Sequence, residues 1–201
     1  MDRHVPPPHP PQPVPPPLGG VARWYEKELG WATTGGSPVR LLTGLRFDAL
    51  ELPADAGFDL LTRYGRTGPV AVTGGVPRAG GPRRMRLLVA AGSADELPGL
   101  LDWLEWGGIG LDLTALGTGA WMTAPVPPGS FVPQGAARWV RPPEPGREVE
   151  PSLPALAPVG RSAGPGGVGG TPDLVRLVDA AANACHRARL LRASAQTLAF
   201  S

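Results

Sequence analysis

Arg83, Arg84 and Arg86 stand within four residues of one another, and guanidinium groups so grouped could contact phosphate oxygens. Arginine is also the ordinary surface cation of this chain, so a solvated strand edge is the competing account. The only cysteine, Cys185, excludes an internal disulfide and a cysteine-based metal cage. His186 and Arg187 beside it could lower the thiol pKa, but no nucleophile partner is identifiable, and a small residue on an apolar helix stripe is the plainer account. The three histidines, His4, His9 and His186, all fall outside residues 21–142. The glycine-rich stretch 74–81 lacks the Gly-Lys-Ser/Thr ending of a P-loop. Trp103 and Trp106, on a leucine-rich helix, are expected to pack in the core and at the domain edge rather than to stack on bases.

These residues need a scaffold, and composition bounds it. The chain has 201 residues, enough for one domain with appendages, and 42% are hydrophobic, enough for one real core. The 29 glycines and 27 prolines exceed average usage but are concentrated in particular stretches. Net charge is +2 and reads as evenly spread: residues 21–142 carry 12 basic and 11 acidic side chains, and the last 59 residues carry 6 and 5. Composition alone therefore carries no nucleic-acid footprint. No apolar run reaches the roughly 18 residues of a membrane span, and the N-terminus lacks the apolar stretch of a signal peptide. A soluble cytoplasmic protein is the expectation.

Residues 1–20 form a proline-rich tail. Proline lacks an N–H and fixes φ, so residues 4–17 should be extended polyproline II, either a solvated arm or a ligand for an aromatic-lined groove. A helix is predicted over Val21–Leu29, stopped by Gly30. Arg46–Leu52 reads as a strand, Pro53 opens a helix to about Tyr64, and Pro69–Thr73 with Met85–Ala90 reads as a hairpin. Ser93 and Glu96 have the spacing of a capping box, with Leu97, Leu100, Leu101 and Leu104 at helical period behind them and Gly107-Gly108 as the stop. Ile109–Leu113 and Ala120–Ala124 are expected to form a second hairpin around LGTG, and Arg138–Val140 an edge strand. Residues 143–170 read as a Pro/Gly linker. Residues 171–199 read as a separate amphipathic helix capped by Thr171, with Pro172 at its first position and Asp173 in its first turn. The order describes an α+β domain with a mostly antiparallel sheet and flanking helices.

The stretch 107–126, GGIGLDLTALGTGAWMTAPV, resembles the third motif of the bifunctional DNA primase/polymerase (prim-pol) family of the archaeo-eukaryotic primase superfamily. There a small apolar strand, an Asp, a glycine-containing turn and a strand ending in Ala-Pro-Pro follow one another. ARWYEKELGW (22–31) is similar to the family's opening helix, and RFDALELPADAG (46–57) stands where its first catalytic motif belongs. The resemblance spans 21–142 and implies an RRM-related fold. It also implies phosphoryl transfer, in which carboxylates hold divalent metal and a positive or hydrogen-bonding group meets the triphosphate.

Carried over residue by residue, the resemblance is incomplete. Glu51 matches the first acid of the first motif, whereas Pro53 occupies the place of the second. Asp48, three residues from Glu51, faces the other side of an extended strand. The second motif needs a histidine, and Arg84–Ala90 has none. Asp112 is the best-preserved site residue. The resemblance thus implies a catalytically degenerate member with no required cofactor. Glu51 and Asp112 are its vestigial acids, able at most to share one Mg²⁺ or Mn²⁺, and Arg83, Arg84 and Arg86 are candidate nucleic-acid contacts.

Three functions follow from this. The first is a nucleic-acid- or nucleotide-binding or regulatory module in DNA metabolism. The second is a protein-protein scaffold that presents the proline-rich arm and the C-terminal helix, with no nucleic-acid role. The third is a primase or polymerase with altered metal ligands. None of the three implies a membrane partner.

Overall fold

The computed structural model describes residues 18–65, 67–74, 81–156 and 173–199; the proline-rich stretch 4–17 lies outside them. The chain is α+β, with two antiparallel sheets and four α-helices among the described residues. Helix α1 (Leu18–Glu28) is followed by Gly30 in the left-handed region at φ 65°, which ends it. Strands β1 (Thr33–Thr34), β2 (Arg40–Leu42) and β7 (Trp121–Thr123) make a small sheet in the order β1-β2-β7. Strands β3 (Asp48–Pro53), β4 (Val70–Thr73), β5 (Arg84–Val89), β6 (Thr114–Leu116) and β8 (Arg138–Arg141) make the large one, ordered β6-β3-β5-β4-β8. The β4–β5 pair is antiparallel as expected, and β8 is an edge strand.

Strand alternation splits the large sheet into two faces. Leu50, Leu52, Met85, Leu87, Val89 and Val70 turn towards α2 (Ala54–Arg63), α3 (Ser93–Trp103) and α4 (Leu174–Ala199). Ala49, Ala71 and Leu88 turn the other way, into a second core with Tyr25, Trp31, Phe47, Leu41 and Met122. The Tyr25 hydroxyl donates to the Pro125 carbonyl at 2.7 Å and accepts from Trp139 Nε1 at 3.0 Å. Burial of that phenol holds its pKa well above the ordinary tyrosine value, against the opposing effect of the Trp139 hydrogen bond.

The expected hairpin across LGTG does not form. Residues 109–113 are irregular, β6 begins only at Thr114 and pairs with β3, and β7 pairs with β2 in the other sheet. Residues 117–120 carry the chain from the large sheet to the small one. They run beside residues 43–47, which cross in the opposite sense. Thr43 Oγ1 donates to the Gly117 carbonyl at 2.6 Å, and the Thr43 N–H donates to the Ala120 carbonyl at 3.1 Å. Gly44, at φ 85°, packs so closely that a Cβ there would fall on the Thr118 backbone. Two side-by-side crossings thus replace a local turn.

The Ser93–Glu96 capping box is also replaced. Gly92, in the left-handed region, is the N-cap of α3, and no side chain of that turn caps the helix. The first turn is met from a distance instead, by Asp48 Oδ2, which accepts from the Ala94 N–H at 2.9 Å. Asp48 is 1% exposed and lies on the same face as Leu50, opposite to Glu51. Asp48→Ala should cost about 1–2 kcal/mol through loss of this cap, read as a lower urea midpoint with an unchanged slope.

Helix α4 is not separate. Leu174, Leu177, Val178, Ala181, Ala182, Ala184 and Cys185 are all no more than 3% exposed and belong to the helix-side core. Asp173 caps it, its Oδ1 accepting from the Val175 N–H at 2.9 Å, while Thr171 and Pro172 lie outside the described residues. Arg187 pairs with Asp59 of α2 at 2.7 Å, and with Arg63 it holds the Asp59 carboxyl below its usual range. The stretch read as linker begins inside the fold, since Val149 and Leu153 are buried in the second core. Trp103, expected to pack, is 72% exposed, while Trp106 donates to Asp179 Oδ1 at 3.1 Å. Among the described residues no helix is long and apolar enough to cross a membrane.

Candidate functional site

The second face of the large sheet changes character along β3. Ala49 sits in the apolar core, and two residues on, the same side of the strand carries Glu51. The antiparallel register sets Arg86 directly opposite Glu51, with Arg84 on the diagonal, opposite Pro53. Cross-strand neighbours on one face are in reach of long side chains, and an Arg–Glu–Arg arrangement is the result. Arg86 Nε donates to Glu51 Oε2 at 2.7 Å, and Arg84 Nε donates to Glu51 Oε1 at 3.2 Å.

Asp112 completes the group from another element. Leu111 and Leu113 turn into the helix-side core, which leaves the residue between them facing out. Helix α4 steadies this irregular segment: Arg189 Nη1 donates to the Gly110 carbonyl at 2.7 Å, and Cys185 Sγ lies 3.7 Å from the Asp112 carbonyl. The Asp112 carboxylate then takes both of its short contacts from one nitrogen, Arg84 Nη1, at 2.7 and 2.8 Å. Side-chain exposure is 17% for Arg84, 15% for Arg86 and 18% for Glu51, against 54% for Asp112. Burial alone would make the Arg84 guanidinium easier to deprotonate, but the Asp112 and Glu51 carboxylates outweigh it and hold its pKa above the ordinary value. Charge-assisted pairs of this kind are strong and directional.

The structure therefore brings together Glu51, Arg84, Arg86 and Asp112, which are 61 positions apart at the extremes, and separates Arg83 from them. Arg83 precedes β5 and turns to the helix side, with its guanidinium 5.9 Å from the Phe58 ring centroid. His186, on α4, lies against Trp106 instead, their rings 5.8 Å apart. The bridging role of Arg84 is set by the tertiary structure. The only signal for it was an acid and two arginines at alternating positions on two strands.

These residues do not fit a metal centre. Both carboxylates are already engaged by guanidinium groups, and one guanidinium lies between them. Among the described residues no three His, Cys, Asp or Glu side chains cluster in a way that could hold an ion. A divalent cation would have to displace Arg84 from between the two carboxylates before either could serve it. The arrangement can orient two arginines.

Cys185 lies beneath this segment, 3% exposed. Burial, reinforced by the Asp112 carboxylate, pushes its thiol up to about 12. Its native state thus keeps a proton that the unfolded chain loses near pH 8.5. The associated stability is complete below that pH and is lost as pH rises towards 12, by at most about 1.4 kcal/mol per pH unit. Native protein should resist iodoacetamide at pH 8 and react once denatured; rapid native alkylation would contradict the burial.

Comparison with protein-family models, with curated proteins and with solved structures finds no match to this chain.

Proposed function

We propose that the chain is a catalytically degenerate prim-pol-like domain that serves as a nucleic-acid- or nucleotide-binding module in DNA metabolism. One observation carries the reading. The residues that the sequence resemblance singles out for the first and third motifs, Glu51 and Asp112, meet at one place, with Arg84 from the strand of the second motif lying between them. Residues from three separate elements converge as a catalytic site of that family requires, and a guanidinium stands where metal chemistry would need open carboxylates. Convergence supports the family assignment, and neutralisation of both acids supports the loss of activity. The docking of α4 leaves less of that helix to present to a partner, which lends the scaffold alternative less support.

The test has two arms on the full chain. Incubation with a primed template, deoxynucleotides and Mg²⁺ or Mn²⁺ should produce no incorporation. Incorporation that vanishes in Asp112→Ala would restore the enzyme reading. Titration with labelled single- and double-stranded DNA should show affinity that falls steeply with salt. Absence of binding at any salt concentration would remove the nucleic-acid role.

A further inference from the structure

Charge that nearly cancels in total is unevenly placed along the chain and across the sheet. From Leu60 to Ala94 the sequence holds six arginines and no acid, and from Leu113 to Pro143 two arginines and no acid. The first stretch supplies β4 and β5 and the second supplies β8, and these three strands lie side by side. Of the acids near this region, Glu51 and Asp112 are taken up by Arg84 and Arg86 on one face, and Asp55, on the helix that starts beside Arg83, pairs with Arg192. On the other face Arg83 and Arg138 have no acidic partner among the described residues.

The register places these two arginines together. Arg138 is opposite Val72, Val72 is opposite Met85, and Arg83 stands two positions before Met85, on its side of the strand. Both line a pocket of about 400 Å³ whose remaining walls are Val72, Gly74 and the turn 132–136. Both are exposed at its rim. Two guanidinium groups of permanent charge beside one concavity, with no carboxylate to neutralise them, call for an anion.

We propose that this pocket binds a phosphate group, with Arg83 and Arg138 as its two cationic contacts. The planar fork of each guanidinium matches a pair of phosphate oxygens, and the polar backbone of the turn supplies further partners. The pocket is on the face opposite the Glu51–Arg84–Asp112 group, so it does not depend on the state of that site. The phosphate is either a phosphodiester of single-stranded DNA or part of a free polyphosphate. The first source rests on the proposed nucleic-acid function; the second does not.

The experiment uses the full chain, labelled oligo-dT and free ATP. It compares wild type with Arg83→Ala/Arg138→Ala and with Arg147→Ala/Arg176→Ala as a control of equal charge. Both target side chains are exposed, and a melting curve matching wild type verifies the fold of each variant. The target variant should bind oligo-dT at least about tenfold more weakly, and its log affinity against log salt should flatten by about 1.4, two contacts' worth on a single strand. The control should change neither. If wild type binds only ATP and the target variant loses it, the pocket stands and the nucleic-acid reading fails. Target and wild type binding both DNA and ATP alike would overturn the pocket and leave that reading intact. Wild type binding neither probe would overturn both.

Discussion

Ending the chain at Leu156, before α4, should yield a polypeptide that does not fold cooperatively. Leu174, Leu177 and Val178 are fully buried, and each such side chain contributes about 1.5–3 kcal/mol through its own burial. Ala181, Ala182, Ala184 and Cys185 add to this, and the partners of the helix on α2, α3 and the sheet would become exposed. The sum approaches the whole net stability of a domain, about 5–15 kcal/mol. The truncated chain should bind the dye ANS and lose its sharp thermal transition. A cooperative melt near that of the full chain would show that α4 is an accessory after all. The same loss would release residues 110–112 from Arg189 and Cys185, so Asp112 would no longer be held against Arg84.

Replacing Glu51 by alanine should have the next largest effect, a loss of about 2–3 kcal/mol in urea unfolding. Removing one partner of a fully buried ion pair costs about 3–5 kcal/mol, and the residual exposure of this group, with Asp112 still available to Arg84, lowers the figure. Two arginines 15–17% exposed would otherwise stand side by side on one face of β5 without their shared carboxylate. Glu51→Gln keeps acceptor and shape and should lose less. The informative comparison is Glu51→Leu combined with Arg84→Met and Arg86→Met, which removes donors and acceptor together and should recover most of the loss. If Glu51→Ala unfolds at the same urea concentration as wild type, the network is a surface decoration. Arg84→Ala tests the metal question separately: with the guanidinium gone, any Mn²⁺ affinity absent from wild type would show that Arg84 occupies the ion's place.

The elements most legible in the sequence were those set by short-range chemistry. Gly30 at positive φ ended α1, Pro53 led into α2, the 3.6-residue stripe from Leu174 to Cys185 marked α4, and β4–β5 formed the expected pair. Asp48 and Glu51 facing opposite sides of β3 followed from strand alternation alone. The elements β1 and β2 were missed, being two and three residues long with no periodicity to detect.

The errors share a cause. A glycine-containing turn between two apolar segments looks the same whether the strands pair with each other or leave for different sheets, and the choice at LGTG was made by β2 and β3, more than sixty residues upstream. A serine before a helix looks like its cap until a buried carboxylate from another strand takes the position.

Residue types and their alternation determined which side chains stand on which face of each strand, and hence that Glu51 and Asp48 would never act together. Only the tertiary structure decided that Arg84 lies between Glu51 and Asp112, that Arg83 lines the same pocket as Arg138, and that α4 holds the Asp112 segment in place. Each of these brings together residues distant in the chain. Ion pairing and burial depend on what the fold brings within a few ångströms, and no local pattern encodes that distance.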